Sequence, residues 1–169
     1  MKLERVLIIG RSGSGKSFFA RKLARLTGLP LFYLDMIWHR PDRRTVPREE
    51  FDARLEKILA LERWIIDGNF QRTLARRLER CQVVFFFEIP LEDSLAGVES
   101  RLGKKRPDMP WIEHEFDEDF KRWIINFDKD VAPRMRETVA RSNREIILFK
   151  SRAEADAWLK EYKEAGRPV

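Results

Sequence analysis

Cysteine is nearly absent from this chain: Cys81 is the only one in 169 residues. No disulfide can close within the chain, and the usage fits a reducing compartment. Long apolar runs are missing as well. The longest lies near Val83–Phe87, far short of the ~18–20 residues of a membrane-spanning helix. Lys2, Glu4 and Arg5 precede a short apolar run that ends in glycines, which does not make a signal-peptide core. These gaps predict a cytoplasmic protein with no membrane partner. Histidine is scarce: His39 and His114 stand far apart and suggest no metal cluster. Eight glycines and eight prolines exclude collagen-like and low-complexity classes.

What the chain has is charge. Charged residues are 37% and hydrophobic residues 43%, a soluble globular composition with a heavily charged surface. Lys and Arg number 34 against 28 Asp and Glu, for a net charge of +6. Of those 34 cations, 23 are arginine. Arginine grips phosphate bidentately and keeps its proton. The excess points to phosphorylated partners, either nucleotides or nucleic acid, although a solvated basic surface explains charge alone equally simply.

The length suits one domain spanning residues 1–169, with no linker or repeat. Five apolar runs read as strands: Arg5–Ile9, Leu31–Leu34, Trp64–Ile66, Val83–Ile89 and Glu145–Phe149. Several are continuous rather than alternating, so both faces of the sheet are expected to be covered. Helical spacing fills the gaps. It runs over Lys16–Leu26, through Phe51, Leu55, Ile58 and Leu59 in a helix opened near Thr45 with Pro47 in its first turn, through Leu74 and Leu78, and over Leu91–Leu102. Phe116, Phe120, Trp123 and Phe127 follow at helical spacing, and core packing is their expected role. Ser151 and Glu154 form a capping box ahead of the last helix. The alternation predicts an α/β fold with a mainly parallel sheet, whose ligands lie beyond the strands' carboxyl ends. Two basic stretches, His39–Pro47 and Gly103–Glu115, read as irregular loops there, the second as a lid at about residues 103–115.

Gly10-Arg11-Ser12-Gly13-Ser14-Gly15-Lys16-Ser17 fits G-x-x-x-x-G-K-[ST]. The glycines let the backbone bring its N–H groups onto phosphate oxygens. The following helix offers its positive dipole end. Lys16 reaches the outer phosphates, and Ser17 is placed to ligate Mg²⁺. A chance match in a chain of this length has a probability of roughly 0.6% at average composition. The strand just upstream and the helix just downstream are the context this loop requires, so all eight residues are expected at the nucleotide.

Three further groups gain meaning beside it. Asp67-Gly68-Asn69-Phe70 ends a strand, where Asp67 is placed to hold Mg²⁺. Asp35 ends another, followed by Trp38, Arg40, Arg43 and Arg44; a carboxylate there can orient an acceptor hydroxyl or take its proton, and the arginines suit an anionic acceptor. Arg101, Lys104, Lys105 and Arg106 supply a basic loop of the kind that covers a transferring phosphoryl group. Arg134 and Arg136 are two residues apart, so only one of them is expected to face the site.

These residues together resemble the adenylate-kinase-related P-loop proteins known as DNA topology modulation proteins. The resemblance covers most of the chain. It rests on Gly10–Ser17, on Leu34-Asp35 with Trp38 and Pro41, and on Asp67-Gly68-Asn69-Phe70 with Thr73. Arg106-Pro107-Asp108-Met109 and Phe120, Trp123, Asn126 and Phe127 complete it. It implies a P-loop nucleoside triphosphate hydrolase fold of adenylate-kinase type: five parallel strands ordered 2-3-1-4-5, helices on both faces, and a small lid. Adenylate kinases carry Asp-Gly-x-Pro-Arg where this chain has Asp67-Gly-Asn-Phe-Gln, and the arginine arrives at Arg72. Their lid Arg-x-x-Gly-Arg is loosely matched by Arg101, Gly103, Lys104 and Lys105. Both departures weaken the expectation of a nucleoside monophosphate acceptor.

The leading expectation is a small-molecule kinase that uses ATP and Mg²⁺. Lys16, Asp35, Arg101 and Arg106 are its expected catalytic residues. Asp35, Trp38, Arg40, Asp67, Gly68, Asn69, Arg72 and Arg134 are expected at the acceptor, and Ser17 and Asp67 at the metal. The alternatives are a nucleic-acid-associated NTPase and a nucleotide switch without chemistry. No helix-turn-helix or RNA-binding motif supports the former. No Asn-Lys-x-Asp marks a guanine site.

Overall fold

Burial on both faces organises the sheet, and the strands follow from it. The computed structural model describes residues 2–166. Its strands are β1 (Arg5–Gly10), β2 (Leu31–Tyr33), β3 (Trp64–Asp67), β4 (Val83–Phe87) and β5 (Glu145–Phe149). All pair in parallel in the order β2-β3-β1-β4-β5. The fold is therefore the five-stranded α/β P-loop architecture, with the order 2-3-1-4-5 that the resemblance implied. Leu7 and Ile9 of β1 enter one apolar layer, while Val6 and Ile8 enter the other. That division explains why the central strands read as continuous apolar runs.

Helices fill both layers. On one face α1 (Lys16–Thr27) and α8 (Arg152–Glu164) pack Phe19, Leu23 and Leu159 against the sheet. On the other, α3 (Arg48–Leu59), α4 (Gln71–Arg80), α6 (Glu118–Asp130) and α7 (Ala132–Ala140) contribute Phe51, Leu74, Phe127 and Met135. α5 (Leu91–Glu99) follows β4 and crosses beneath the Gly10–Gly15 loop. Among the described residues no helix is long and apolar enough to cross a membrane.

Several boundaries differ from the sequence reading. β2 stops at Tyr33, and Leu34 instead opens the short helix α2 (Leu34–Trp38). Leu34 is fully buried against Gly68, where an added Cβ would lie 2.8 Å from the Leu34 Cβ. The stretch expected to be irregular from His39 is a closed turn. His39 bridges Thr45, Arg40 N–H donates to Arg44 O, and Val46 N–H donates to Trp38 O. α3 starts only at Arg48, because Pro47 is its cap rather than a member of its first turn. α5 ends at Glu99, short of Leu102. Phe116 lies outside α6, whose cap Asp117 accepts from Phe120 N–H. The capping box of α8 is half reciprocal. Ser151 Oγ accepts from Glu154 N–H, but the Glu154 carboxylate takes the N–H of Lys150.

Candidate active site

The Gly10–Gly15 loop leaves β1 at the centre of the sheet, where the strand order reverses direction and a crevice opens at the carboxyl ends. Gly13 has φ +78, and a Cβ there would meet Ser94 O at 2.0 Å. Gly97 of α5 lies in equally close contact: its Cβ would meet Gly13 O at 2.0 Å. Two bare backbones thus touch where any side chain would separate them. Lys16 opens α1 and is buried, with Nζ donating to Arg11 O at 2.8 Å. Burial lowers its pKa, opposed by the charge of Asp67.

Asn69 holds the loop from the neighbouring strand. Its Oδ1 accepts from Gly10 N–H at 2.9 Å and its Nδ2 donates to Gly10 O at 2.8 Å. Arg77 of α4, fully buried, donates in turn to the carbonyls of Gly68, Asn69 and Phe70. It has carbonyl partners in place of a carboxylate, and burial lowers its pKa to about 9.

Asp67 ends β3 beside α1. Its Oδ2 accepts from Ser17 Oγ at 2.5 Å, while Oδ1 is buried without a partner. Burial raises its pKa to about 6 against the pull of Lys16. An orphaned carboxylate oxygen next to a serine hydroxyl is a hard-oxygen donor pair. It fits a Mg²⁺ ion whose remaining ligands are phosphate oxygens and water.

Across the crevice, Asp35 sits in the first turn of α2. Its side chain is 46% exposed to the open cleft. The cleft walls still strip away enough water to raise its pKa to about 6, opposed by Lys16 and reinforced by Asp108. His39 Nε2 lies 3.9 Å from Asp35 Oδ1, and burial lowers the His39 pKa, so the imidazole is neutral at pH 7. Trp111 meets His39 edge-on at 5.0 Å.

The segment after α5 closes the top. Gly103 N–H donates to Glu113 O at 2.7 Å. Arg106 donates to Asp108 Oδ2 at 2.9 Å and Glu113 Oε2 at 2.8 Å, and Arg101 Nε lies 3.6 Å from Glu113 Oε2. Arg21 of α1 pairs with Asp108 at 3.7 Å. All these groups line one cleft of about 1010 Å³ with the loop residues Ser12, Gly13, Gly15, Lys16 and Ser17.

Of the residues expected at the site, the structure brings together Ser12, Gly13, Gly15, Lys16 and Ser17 of the loop with Asp35, Asp67, Gly68, Asn69, Arg101 and Arg106, while Gly10 and the buried Ser14 lie beneath the cleft surface. Others stand elsewhere. The Arg11 side chain turns inward, donating to Ile89 O, pairing with Asp128 and lying over Phe127, so only its backbone belongs to the loop. Asn69 lines the cleft, but its amide is spent on Gly10. Trp38 packs edge-on against Phe51 and Phe70 in the core. Arg40 is exposed and pairs with Glu50. Arg72 is locked on Asp52 at 2.6 and 3.0 Å, in a separate hollow between α3 and α4. Arg134 is exposed on α7, away from the cleft.

Conversely, Phe120 and Trp123 line the cleft and stack on each other, with centroids 6.1 Å apart, instead of filling the core; only Phe127 is buried. Sequence reasoning missed Arg21, Tyr33, Glu113, Trp111 and Arg152. Arg21 had a signal: it follows Ser17 by four residues on α1 and so shares its face. Trp111 and Glu113 are brought in by a loop whose course periodicity does not encode, and Tyr33 ends β2 while Arg152 opens α8, positions whose facing the sequence pattern does not give.

No family model matches the chain, and no curated protein matches it. Among solved structures, shikimate kinase from Acinetobacter baumannii in complex with shikimate superposes with TM-score 0.61 at 18% identity, covering 96% of this chain and 94% of that one. Shikimate kinase from Bacteroides thetaiotaomicron gives 0.62 at 16% identity, over 96% and 97%. A gluconokinase from Sinorhizobium meliloti 1021 gives 0.57 at 15%, over 97% and 95%. At these identities the likeness establishes the fold.

Proposed function

We propose that the protein is an ATP-dependent small-molecule kinase. The observation that carries this reading is the placement of Asp35 across one cleft from Lys16 and the glycine-rich loop. A proton acceptor and a triphosphate cradle face the same space. The naming of three similar structures as shikimate kinases or a gluconokinase supports it. The Asp67-Gly-Asn-aromatic and Arg106-Pro-Asp-Met elements further support placing the chain with the DNA topology modulation proteins.

In this reading the loop's N–H groups and the α1 amino end hold the β- and γ-phosphates. Lys16 exchanges Arg11 O for phosphate oxygens. Ser17 and Asp67 would hold Mg²⁺, which would supply charge neutralisation at the phosphates. Asp35 orients the acceptor hydroxyl and receives its proton. Arg101 and Arg106 release Glu113 to meet the transferring group. Trp111 and the rest of the lid exclude water that would otherwise hydrolyse ATP.

The nucleic-acid reading gains no support from the surface. Three arginines of α3 and α4 are matched by acidic neighbours: Arg54 with Glu50, Arg72 with Asp52, and Arg76 with Glu56 and Glu79. ADP release from Mg·ATP, with and without pooled hydroxyl acceptors, tests the proposal, with Lys16→Ala as the blank. Acceptor-dependent release lost in Lys16→Ala is expected. Release that ignores both the acceptor and Lys16 would refute a kinase.

A further inference from the structure

We propose that the acceptor is an uncharged ring alcohol, held by Trp111 and His39 with one hydroxyl on Asp35. This rests on the kinase reading and names its substrate class.

Charge is the first ground. The cleft's five cationic side chains face five carboxylates. Two of those carboxylates, Asp108 and Glu113, are carried by the lid segment itself. Between them they engage Arg21, Arg101 and Arg106 at 2.8–3.7 Å. Arg152 is committed to the carbonyls of Gly13 and Asp93, both at 2.8 Å. Lys16 belongs to the triphosphate. Each cleft arginine has an intrachain partner within 4 Å: Arg106 and Arg152 by hydrogen bonds, and Arg21 and Arg101 by charge alone, with Arg21 Nη1 and Arg101 Nε buried without a hydrogen bond. A charged acceptor would have to compete with Asp108 and Glu113 for these guanidinium groups, and both carboxylates are held under the lid, 10% and 20% exposed. Stripping a partner from a buried carboxylate is costly. The triphosphate sharpens the effect. As it draws Arg101 and Arg106 away, Glu113 and Asp108 add negative charge beside Asp35, and an anionic acceptor then meets like charges.

Shape is the second ground. The Asp35 end of the cleft is walled by rings. His39 is 3.9 Å from the Asp35 carboxylate, Trp111 is edge-on to His39 at 5.0 Å, and Phe70 lines the same space. Aromatic faces bind the C–H face of a planar or puckered ring through apolar contact, leaving a single polar anchor to set orientation. Asp35 is that anchor. The transfer balances without any further reactant. The acceptor oxygen forms a bond to Pγ, the Pγ–bridging oxygen bond breaks, its electron pair leaves with ADP, and the hydroxyl proton passes to Asp35 and then to solvent. A free carbohydrate and the ribose of a nucleoside share this chemistry.

Matched acceptors differing by one charge distinguish the cases. A hexopyranose is set against its uronic acid, and a nucleoside against its 5′-monophosphate, each with Mg·ATP. The neutral member of one pair is expected to exceed its charged partner by at least about tenfold in kcat/KM. The hexose arm would identify a carbohydrate, and the nucleoside arm a ribose. Asp108→Asn and Glu113→Gln, singly and together, should narrow that preference. Trp111→Ala should raise the acceptor KM and leave the KM for ATP in place. Circular dichroism checks that each variant folds. Preference for the charged member overturns the proposal and leaves the kinase standing. So does an absence of turnover in both pairs while calorimetry still detects a Mg·ATP analogue binding that Lys16→Ala abolishes. If the nucleotide itself fails to bind, the kinase reading falls and the acceptor class with it.

Discussion

Asp35 and Asp67 have the same side chain and the same raised pKa of about 6, but they predict different measurements. Asp35 faces the open cleft, so its ionisation belongs to turnover. Its proton must be off before it can accept one. At saturating Mg·ATP, kcat/KM for the acceptor should fall tenfold per pH unit on the acid side, where Asp35 is protonated, and level off above it. Asp35→Asn should lose about 10²–10⁴ in kcat together with that limb. Asp67 is buried, so its ionisation belongs to stability. Its folded pKa lies above the unfolded ~3.9. Between those values the native state holds more protons, so stability declines as pH rises through that window and stays low above about 6. Asp67→Asn should therefore stabilise the nucleotide-free protein at pH 8, on the order of 2 kcal/mol, with the gain shrinking toward pH 4. Chemical denaturation at both pH values checks it; an equal gain at each would sink the argument. Both carboxylates were legible in the sequence because each ends an apolar run beside a recognisable loop. Arg40, Arg72 and Arg134 looked equivalent in the sequence because an arginine's partner is fixed by tertiary packing. Glu50 and Asp52 claim the first two from α3.

Two helices set the phosphate loop from below and from the side. α5 presents Gly97 to Gly13 with no room for a methyl group. Gly97→Ala should force the loop from its position and weaken Mg·ATP binding by about tenfold or more, since misplacement of roughly 1 Å can cost far more in rate. Calorimetry on the folded variant reads this, and unchanged affinity would show that the loop tolerates displacement. α4 acts through Arg77, whose guanidinium spans three carbonyls of the β3–α4 turn and so fixes Asn69 against Gly10. Arg77→Met leaves those carbonyls buried without donors and should destabilise the fold by about 2–4 kcal/mol while raising the KM for ATP. Arg77→Lys, with a single ammonium, should recover only part of either. The helices themselves were readable from apolar spacing. Gly97 was not, because in sequence it is one small residue in an amphipathic helix. Nor was the cleft face of α6: Phe120 and Trp123 carry the same period as buried Phe127, and periodicity cannot say whether a helix face meets a sheet or an open cleft.

At the scale of the molecule, the strand order places everything that must bind phosphate at the carboxyl ends of the central strands and leaves the lid as the part free to move. That order is not written in composition or period; it came from the motif's resemblance and is borne out by the pairing. The lid meets the body through the Arg21–Asp108 and Arg101–Glu113 pairs and the Trp111–His39 contact, while Arg106 pairs with Asp108 and Glu113 within the lid; all of these residues touch the cleft. A bound triphosphate competes for the same arginines, so occupancy and lid position are coupled. Lys104 and Lys105 are exposed on this segment, beside Gly103, where a side chain would project into open space. Trypsin should therefore cut there first in the free protein, because local opening of a loop with so few contacts costs little. A Mg·ATP analogue with an acceptor should slow this cut several-fold, and nucleotide alone should slow it less. The same ligands should raise thermal stability by about 2.7 kcal/mol at a hundredfold excess over Kd. If stability rises but cleavage at Lys104 and Lys105 does not slow, the ligand binds without drawing the lid down, and water must be excluded by the acceptor itself.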